Sequence, residues 1–455
     1  MPEYDYDVLV LGGGGSAGFT AATTAMKHSE LVGMVENARL GGLCILAGCM
    51  PSKALLHSAA SVHALGGAGR EVYPKVRDFK RAVVDYLAGG REEDVAAKQE
   101  EGLHVIRGTA RFRDPHTVEV DGNPISAAAV VVATGSREQV PPIPGLDQVE
   151  YLDSTSLMVL PELPESVVIL GGGTVAVEMA QYLIRMGVKV SVVQRSSHLL
   201  SSLDPRVGRI LAEKLTEEGG QIYTGTEIRA VKRGGGGVVV NFLHQDQEVI
   251  LSAQRLLLAV GRVPDIADLA LERAGVDRNA KGRLKVDRFM RTSQPHIFAA
   301  GDVTGLDMIV NLAIAQGKAA GYNAVHPEAP REVEDRVMPQ AIFTDPEYAR
   351  VGLTTAQAKR EGRATVSGEY SLEEMGVART YPERLQGFMS LVADAGDGRI
   401  LGGELLCPGA SLIIHEVALA MQLHGTVRDL RKMSHIHPCL SEIVESAAYQ
   451  VRIPG

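Results

Sequence analysis

Four cysteines in 455 residues are too few for a small extracellular disulfide scaffold, which excludes that class. Positive charge is also short. Lys and Arg number 46 against 55 Asp and Glu, for a net charge of −9. Phosphate binding needs a basic surface, so nucleic acid is not expected as a partner. By inspection no apolar run reaches the ~18 residues that span a bilayer, and no membrane partner is expected. The first residues, Met1-Pro2-Glu3-Tyr4-Asp5-Tyr6-Asp7, are acidic and lead straight into a strand, unlike a secretory leader. A cytoplasmic location is therefore the expectation. The remaining composition, 45% hydrophobic and 22% charged, is that of a globular protein. The chain is too long for one core, so about two to four domains are expected.

Glycine, by contrast, is abundant at 50 residues and concentrates in short loops. Gly41, Gly42 and Gly48 surround two of the four cysteines, Cys44 and Cys49. The following Ala54-Leu55-Leu56-His57 opens a helical pattern, which puts Cys49 near a helix N-terminus. Unpaired N–H groups and the macrodipole there favour a thiolate, and Lys53 adds a cation. Such a pair can cycle between dithiol and disulfide. Two buried structural cysteines in a glycine-rich loop are the plainer alternative.

Residues 8–11 are a short apolar run, a strand buried in a parallel sheet. The loop after it reads Gly13-x-Gly15-x-x-Gly18, with Gly12-x-Gly14-x-x-Ala17 as an overlapping frame. A helix over 19–27 and a strand over 31–35, ending at Glu36, complete a βαβ unit. The glycines let backbone approach a pyrophosphate at the helix N-terminus, and Glu36 accepts hydrogen bonds from a ribose. Residues 167–170, the loop Gly171-x-Gly173-x-x-Ala176, a helix over 177–186 and a strand over 188–193 repeat the pattern. Two units point to two dinucleotides, with FAD in the first and a nicotinamide cofactor in the second. A duplicated fold that binds nothing is disfavoured, because both loops keep glycine at the crowded positions.

Residues 58–100 read as helical, broken at Gly66-Gly67 and Gly89-Gly90. Strands are expected over 117–120 and 129–132, followed by a sharp turn at Ala133-Thr134-Gly135-Ser136. The stiff Pro141-Pro142-Ile143-Pro144-Gly145 marks a domain boundary. A strand over 256–260 leads through Gly261-Arg262 back toward the first domain. Strands at 339–343 and 388–392 and a helix over 417–423 make an α+β module. It ends in His435-Ile436-His437-Pro438-Cys439-Leu440-Ser441-Glu442. A metal site from His435, His437, Cys439 and Glu442 does not match a usual zinc spacing, and no metal is expected. Cys439 reads as a small buried thiol.

The segment Gly-Gly-x-Cys-x-x-x-x-Gly-Cys-x-Pro-Ser-Lys resembles the redox-active segment of the flavin-dependent pyridine nucleotide-disulfide oxidoreductases. That family includes dihydrolipoyl dehydrogenase, glutathione reductase and mercuric reductase. The motifs appear in the family's order over essentially the whole chain, closest in look to the dihydrolipoyl dehydrogenase-like and mercuric reductase-like branches. The resemblance implies an α/β protein with two Rossmann-like dinucleotide-binding domains and a C-terminal α+β dimerisation domain. The expected division is 1–145 and 265–335 for FAD, 146–264 for the nicotinamide cofactor and 336–455 for the interface.

The resemblance also implies roles. Cys44 exchanges with substrate, while Cys49 lies against the flavin. Glu178 reaches Lys53 near the flavin. Thr134-Gly135 closes the first cofactor segment, Gly261 returns the chain to it, and Asp302 contacts the ribityl chain. Thiol exchange needs a base, and His437 oriented by Glu442 resembles the family's His-Pro-x-x-x-x-Glu ending. In the family this base comes from the partner subunit, which implies a homodimer. The substrate is then a small-molecule or protein-bound dithiol or disulfide.

Departures from the family pattern include Leu43 and Leu46, read as making an apolar pocket that leans toward lipoamide-like substrates. Thr174 replaces a frequent Tyr at the nicotinamide mouth. A mercuric-ion reductase is the competing enzyme reading, although His437 stands where that branch tends to have Tyr, and a non-catalytic flavoprotein subunit is the other. The second unit ends in neutral Gln194 followed by Arg195, Ser196 and Ser197. An acid there would favour NAD, whereas an Arg accommodates a 2′-phosphate, so NADP(H) is favoured over NAD(H).

Overall fold

A computed structural model describes residues 4–453. Residues 1–3, on which part of the leader expectation rests, and 454–455 lie outside the described residues.

The first half opens with β1 (Tyr6–Leu11), α1 (Ser16–Ala25), β2 (Val32–Glu36), α2 (Gly42–Leu46), α3 (Cys49–Ala64) and α4 (Gly69–Glu100). It continues with β3 (His104–Arg107), β4 (Ala110–Asp114), β5 (Thr117–Val120), β6 (Asn123–Val132) and β7 (Ser136–Glu138). Strands β3-β2-β1-β6 pair in parallel, and β5 and β4 extend the sheet as an antiparallel meander. The interior strand β1 is apolar throughout its buried part, Val8 to Leu11, because both faces are covered.

The second nucleotide unit follows a short helix, α5 (Ser154–Leu157). It comprises β8 (Ser166–Leu170), α6 (Thr174–Arg185), β9 (Lys189–Gln194), α7 (Pro205–Glu217) and β10 (Gln221–Thr224). A meander of β11 (Glu227–Gly234), β12 (Gly237–His244) and β13 (Gln247–Ala253) precedes β14 (Arg255–Leu258). The parallel order is β10-β9-β8-β14. The chain then returns through β15 (Arg262–Pro264), which pairs antiparallel with β7.

Strand β16 (Ile297–Ala299) pairs with β6 and so completes the first sheet from a distant part of the sequence. Helix α8 (Val310–Val325) packs on α1 through small residues on both sides. A Cβ at Gly317 would lie 2.4 Å from the Ala17 carbonyl oxygen, and one at Gly321 2.2 Å from that of Ala21. The last module contains β17 (Gln340–Ile342), β18 (Glu347–Gly352), α9 (Thr355–Arg360), β19 (Thr365–Ser371), β20 (Phe388–Asp394) and β21 (Ile400–Cys407). These form the antiparallel sheet β17-β18-β21-β20-β19, followed by α10 (Ala410–Gln422), α11 (Val427–Lys432) and α12 (Glu442–Gln450).

Two expectations are corrected. Gly89-Gly90 does not break the helix, because α4 runs through both residues. Its buried Tyr73, Val76, Ala88 and Val95 lie on one helical face, and burial of that face offsets the glycine penalty. A Cβ on either glycine would meet nothing within 4 Å. Alanine at both positions is therefore expected to stabilise α4 by ~0.5–1 kcal/mol each. Amide exchange across 85–94 should slow by roughly 5- to 30-fold, and unchanged exchange would refute it. The apolar-run expectation also changes. Residues 42–64 are helical and apolar enough in length and composition to cross a bilayer. The stretch breaks at Ala47-Gly48, and its α3 part packs on α4 and α6 with Leu55, Leu56 and Ala59 in the core.

Candidate active site

The two cysteines lie where α2 turns into α3. A Cβ at Gly48 would come within 2.7 Å of the Leu43 carbonyl oxygen, so only glycine permits this turn. Cys49 is the first residue of α3, and no side chain caps that end. Both cysteines are free thiols, half-buried. The Cys49 pKa is drawn down to about 7, first by a hydrogen bond from the Cys44 thiol and further by the charge of Lys53, against the opposing effect of burial. The Cys44 thiol is held protonated by the same hydrogen bond and by burial. The pair thus divides into a proton-bearing Cys44 thiol and a Cys49 thiolate.

Lys53, one turn into α3, places Nζ 2.9 Å from Oε2 of Glu178 and 3.1 Å from its Oε1. Glu178 is only 4% exposed, and its Oε1 also accepts the Phe343 backbone N–H at 2.9 Å. The Lys53 ammonium lies 4.4 Å from the Phe343 ring centroid. One carboxylate thereby ties the redox helix, the second nucleotide unit and the last module together. Phe343 was not foreseen, and no spacing in the sequence links it to the other two.

Both glycine loops end at helices without side-chain caps, at Gly15 before α1 and Gly173 before α6. Their first N–H groups are available to an anion. Gly12 takes the left-handed turn, with φ +85°, because a Cβ would strike the Ala133 carbonyl oxygen at 2.6 Å. At Gly18 a Cβ would lie 2.2 Å from the Gly12 oxygen, so the loop and α1 can close only on glycine. Gly13 likewise packs on Met34. Of the two frames, Gly13-x-Gly15-x-x-Gly18 is the one whose second glycine precedes the helix. Glu36 accepts the backbone N–H of Gly14 at 2.8 Å and of Ala38 at 3.0 Å.

In the second unit Gly171 turns at φ +114° against the Ala259 carbonyl, and Ala176 is fully buried. Gln194 ends β9, while Arg195, Gly173 and Thr174 are exposed. Arg195 forms no ion pair among the described residues.

A cavity of about 570 Å³ runs from Gly12 and Gly15 past Glu36 to Thr134, Gly135 and Arg262. Asp302 accepts the Ser136 hydroxyl at 2.7 Å, and Ser136 in turn accepts Arg262 Nε at 2.9 Å. Arg262 also pairs with Glu138. Thr134 donates to the Asp265 carbonyl at 2.7 Å, and Gly261 accepts the Gln139 N–H at 3.0 Å, fixing the return crossing. The Arg262–Ser136–Asp302 chain escaped sequence reading because it joins three separate segments. Bare glycine walls, uncapped helix donors and a carboxylate held at the second-strand end suit a flavin dinucleotide. Leu43 and Leu46 line this same cavity.

His437 is 82% exposed and its Nδ1 lies 2.9 Å from Glu442 Oε1. The backbone N–H of Cys439 donates to the other Glu442 oxygen at 3.0 Å and, with His437, holds that carboxyl below its usual range. Among the described residues His437 forms no hydrogen bond to Cys44 or Cys49 within the protomer. His435 points elsewhere, with its side chain 3% exposed and Nε2 3.1 Å from Glu416. No group of three or more His, Cys, Asp or Glu among the described residues is arranged to hold a metal. Cys439 sits 2.9 Å from the Ser441 hydroxyl and is half-buried.

The fold and site define a dinucleotide-dependent oxidoreductase with a cysteine redox pair. The chain belongs to the pyridine nucleotide-disulphide oxidoreductase family, whose description matches residues 6–317, and residues 338–448 match that family's dimerisation domain. The family uses FAD with a pyridine nucleotide and a redox-active disulfide, and the dimerisation domain supports a homodimer. The chain is 36% identical to a mercuric reductase of Streptomyces lividans, covering 97% of this chain and 95% of that one. It is 32% identical to a dihydrolipoyl dehydrogenase of Geobacillus stearothermophilus, over 97% and 95%. The solved HOCl-induced flavoprotein disulfide reductase RclA of Escherichia coli superposes with a TM-score of 0.85 at 29% identity, over 98% and 100%.

Proposed function

We propose that the protein is an NADPH-dependent flavoprotein that reduces an organic disulfide through Cys44 and Cys49, with the chemistry of the dihydrolipoyl dehydrogenase type. The observation that carries this is the exposed His437–Glu442 pair at 2.9 Å. Thiol exchange needs a proton carrier, and a metal ion offers no sulfur to protonate. When bound, FAD would supply the two-electron link between nicotinamide and disulfide. The chain's own residues do the rest. Gly13, Gly15, Gly18 and Glu36 would hold its pyrophosphate and ribose, and Asp302 its ribityl chain. Gly171, Gly173 and Ala176 would do the same for the nicotinamide cofactor. Cys44 meets the substrate sulfur, Cys49 keeps the inner thiolate, and Lys53 with Glu178 fixes the charge beside it. His437, presented across a dimer and oriented by Glu442, moves the proton.

The likeness to mercuric reductases favours a second reading, reduction of a bound metal ion. Lipoamide, glutathione disulfide and Hg(II), offered side by side with a reduced nicotinamide cofactor, separate the two. Activity with Hg(II) alone would overturn the disulfide reading.

Arg195 carries the cofactor choice. It follows a neutral Gln194, stands exposed and has no carboxylate partner among the described residues. A guanidinium so placed can take a 2′-phosphate in a charge-assisted hydrogen bond. The expected kcat/KM favours NADPH over NADH, and Arg195→Ala should lower the NADPH value about 10- to 100-fold while sparing NADH. A wild-type preference for NADH would refute this.

A further inference from the structure

Between α11 and α12 the chain crosses residues 433–441 without regular structure. Met433 still closes α11, its N–H donating to the Leu430 carbonyl at 3.3 Å. At the far end the Leu440 and Ser441 carbonyls accept from Ile443 and Val444 of α12. In between, the backbone of residues 434–438 makes no hydrogen bond among the described residues. The next backbone tie is the Cys439 N–H on Glu442. His437 lies inside this unsupported stretch. Glu442 orients its ring, but no backbone contact holds the residues that lead to it.

His435 supplies the anchor. Its side chain is buried, while its neighbours Ser434 and Ile436 are exposed. Nε2 lies 3.1 and 3.2 Å from the two oxygens of Glu416 on α10. Nδ1 lies 3.5 Å from Oε2 of Glu445 on α12, buried and without a hydrogen bond. The ring thus stands between two helices with a carboxyl group opposite each nitrogen. A neutral imidazole has one N–H and can donate to one of them, whereas the doubly protonated ring can donate to both. Burial pushes the Glu416 carboxyl above its usual range, against the pull of His435. His435 is also the one hydrogen-bond partner of Glu416 among the described residues. Losing it would leave an enclosed carboxyl group unpaired, so the contact is costly to break.

We propose that His435 is a positioning residue: by tying residues 434–438 to α10 through Glu416, it holds His437 where a substrate sulfur can exchange a proton with it. The assignment rests on the reading of His437 as the proton carrier. His435 itself touches no reacting atom. The reason it is needed is conformational. An exposed segment without backbone hydrogen bonds samples many states, and a proton passes only within hydrogen-bond reach of the sulfur. Two residues of extended chain span about 7 Å. Fixing His435 therefore confines His437 to that radius, and Glu442 then selects the orientation of its ring.

The test uses the FAD-loaded dimer, reduced and then reoxidised by lipoamide or glutathione disulfide, whichever the wild type reduces faster. His435→Phe keeps a ring of similar size and removes both nitrogens. Glu416→Met breaks the same tie from the other side. Each should slow the disulfide half-reaction about 10- to 100-fold, the cost of a misplaced reacting group, and the two losses should not add. Flavin reduction by the nicotinamide, measured by stopped flow, should be unchanged in both and verifies that they are folded and loaded. In a His437→Gln background no proton carrier remains to be positioned, so His435→Phe should cost less than about twofold further. Equal losses in both backgrounds, or no loss in the wild-type background, would overturn the role of His435 alone. An undiminished disulfide half-reaction in His437→Gln itself would overturn the reading of His437, and the assignment of His435 with it.

Discussion

Cys44→Ala is expected to abolish disulfide reduction while leaving a folded, coloured flavoprotein. The loss should reach about 10⁴- to 10⁶-fold, the scale seen when a covalent nucleophile is removed. The nicotinamide should still reduce the flavin. A thiolate on Cys49 would persist against the oxidised flavin and give long-wavelength absorption. Its pH dependence follows from the hydrogen bond that the variant removes. In the two-electron-reduced wild type Cys49 loses its proton near pH 7, so the absorption should be present above that value and fade below it. Without the Cys44 donor the thiolate loses its largest stabilisation and keeps only Lys53 and the helix terminus. The midpoint in the variant should therefore move upward. Full turnover by Cys44→Ala, or a midpoint that moves down, would overturn the division of labour between the cysteines.

The second large effect belongs to His437. His437→Gln should slow reduction of organic disulfides by about two to four orders of magnitude, the span for losing a positioned acid–base group. Flavin reduction by the nicotinamide should change far less, since His437 makes no hydrogen bond to the redox pair within its own protomer among the described residues. Rapid-mixing measurement of the two half-reactions separates the outcomes. If both fell equally, His437 would be a structural residue. The geometry already constrains its partner: Glu442 is anchored by the Cys439 backbone, so its carboxylate remains ionised and oriented as His437 takes up or gives back a proton. His435, two residues earlier, cannot substitute. It is enclosed with Glu416 and points away from solvent.

Local requirements were legible in the sequence. The two glycine loops could be read because each position has a steric reason that only glycine meets, as at Gly12 beside the Ala133 carbonyl, Gly18 beside Gly12 and Gly48 beside Leu43. The parallel strands could be read because burial on both faces demands unbroken apolar runs. The helix start at Cys49 could be read because a glycine precedes it and an apolar helical pattern follows. These features depend on neighbours a few residues away, and residue identity records them.

Tertiary structure decided what depends on distant neighbours. Lys53 and Glu178 are 125 residues apart, a pair that only the family resemblance implied, and the Phe343 N–H that completes the carboxylate is 165 residues from Glu178. Ser136 and Asp302 are 166 apart. No local period encodes such pairs, because they form only when separate sheets and modules are docked. The continuity of α4 was settled the same way, since packing of its buried face outweighs the helix cost of Gly89 and Gly90. The same docking put Leu43 and Leu46 in the lining of the cofactor cavity and left Ile45 to border a separate hollow between α2 and α4. In a single turn of helix, sequence names the residues, but only the packing around that turn fixes which side each one faces.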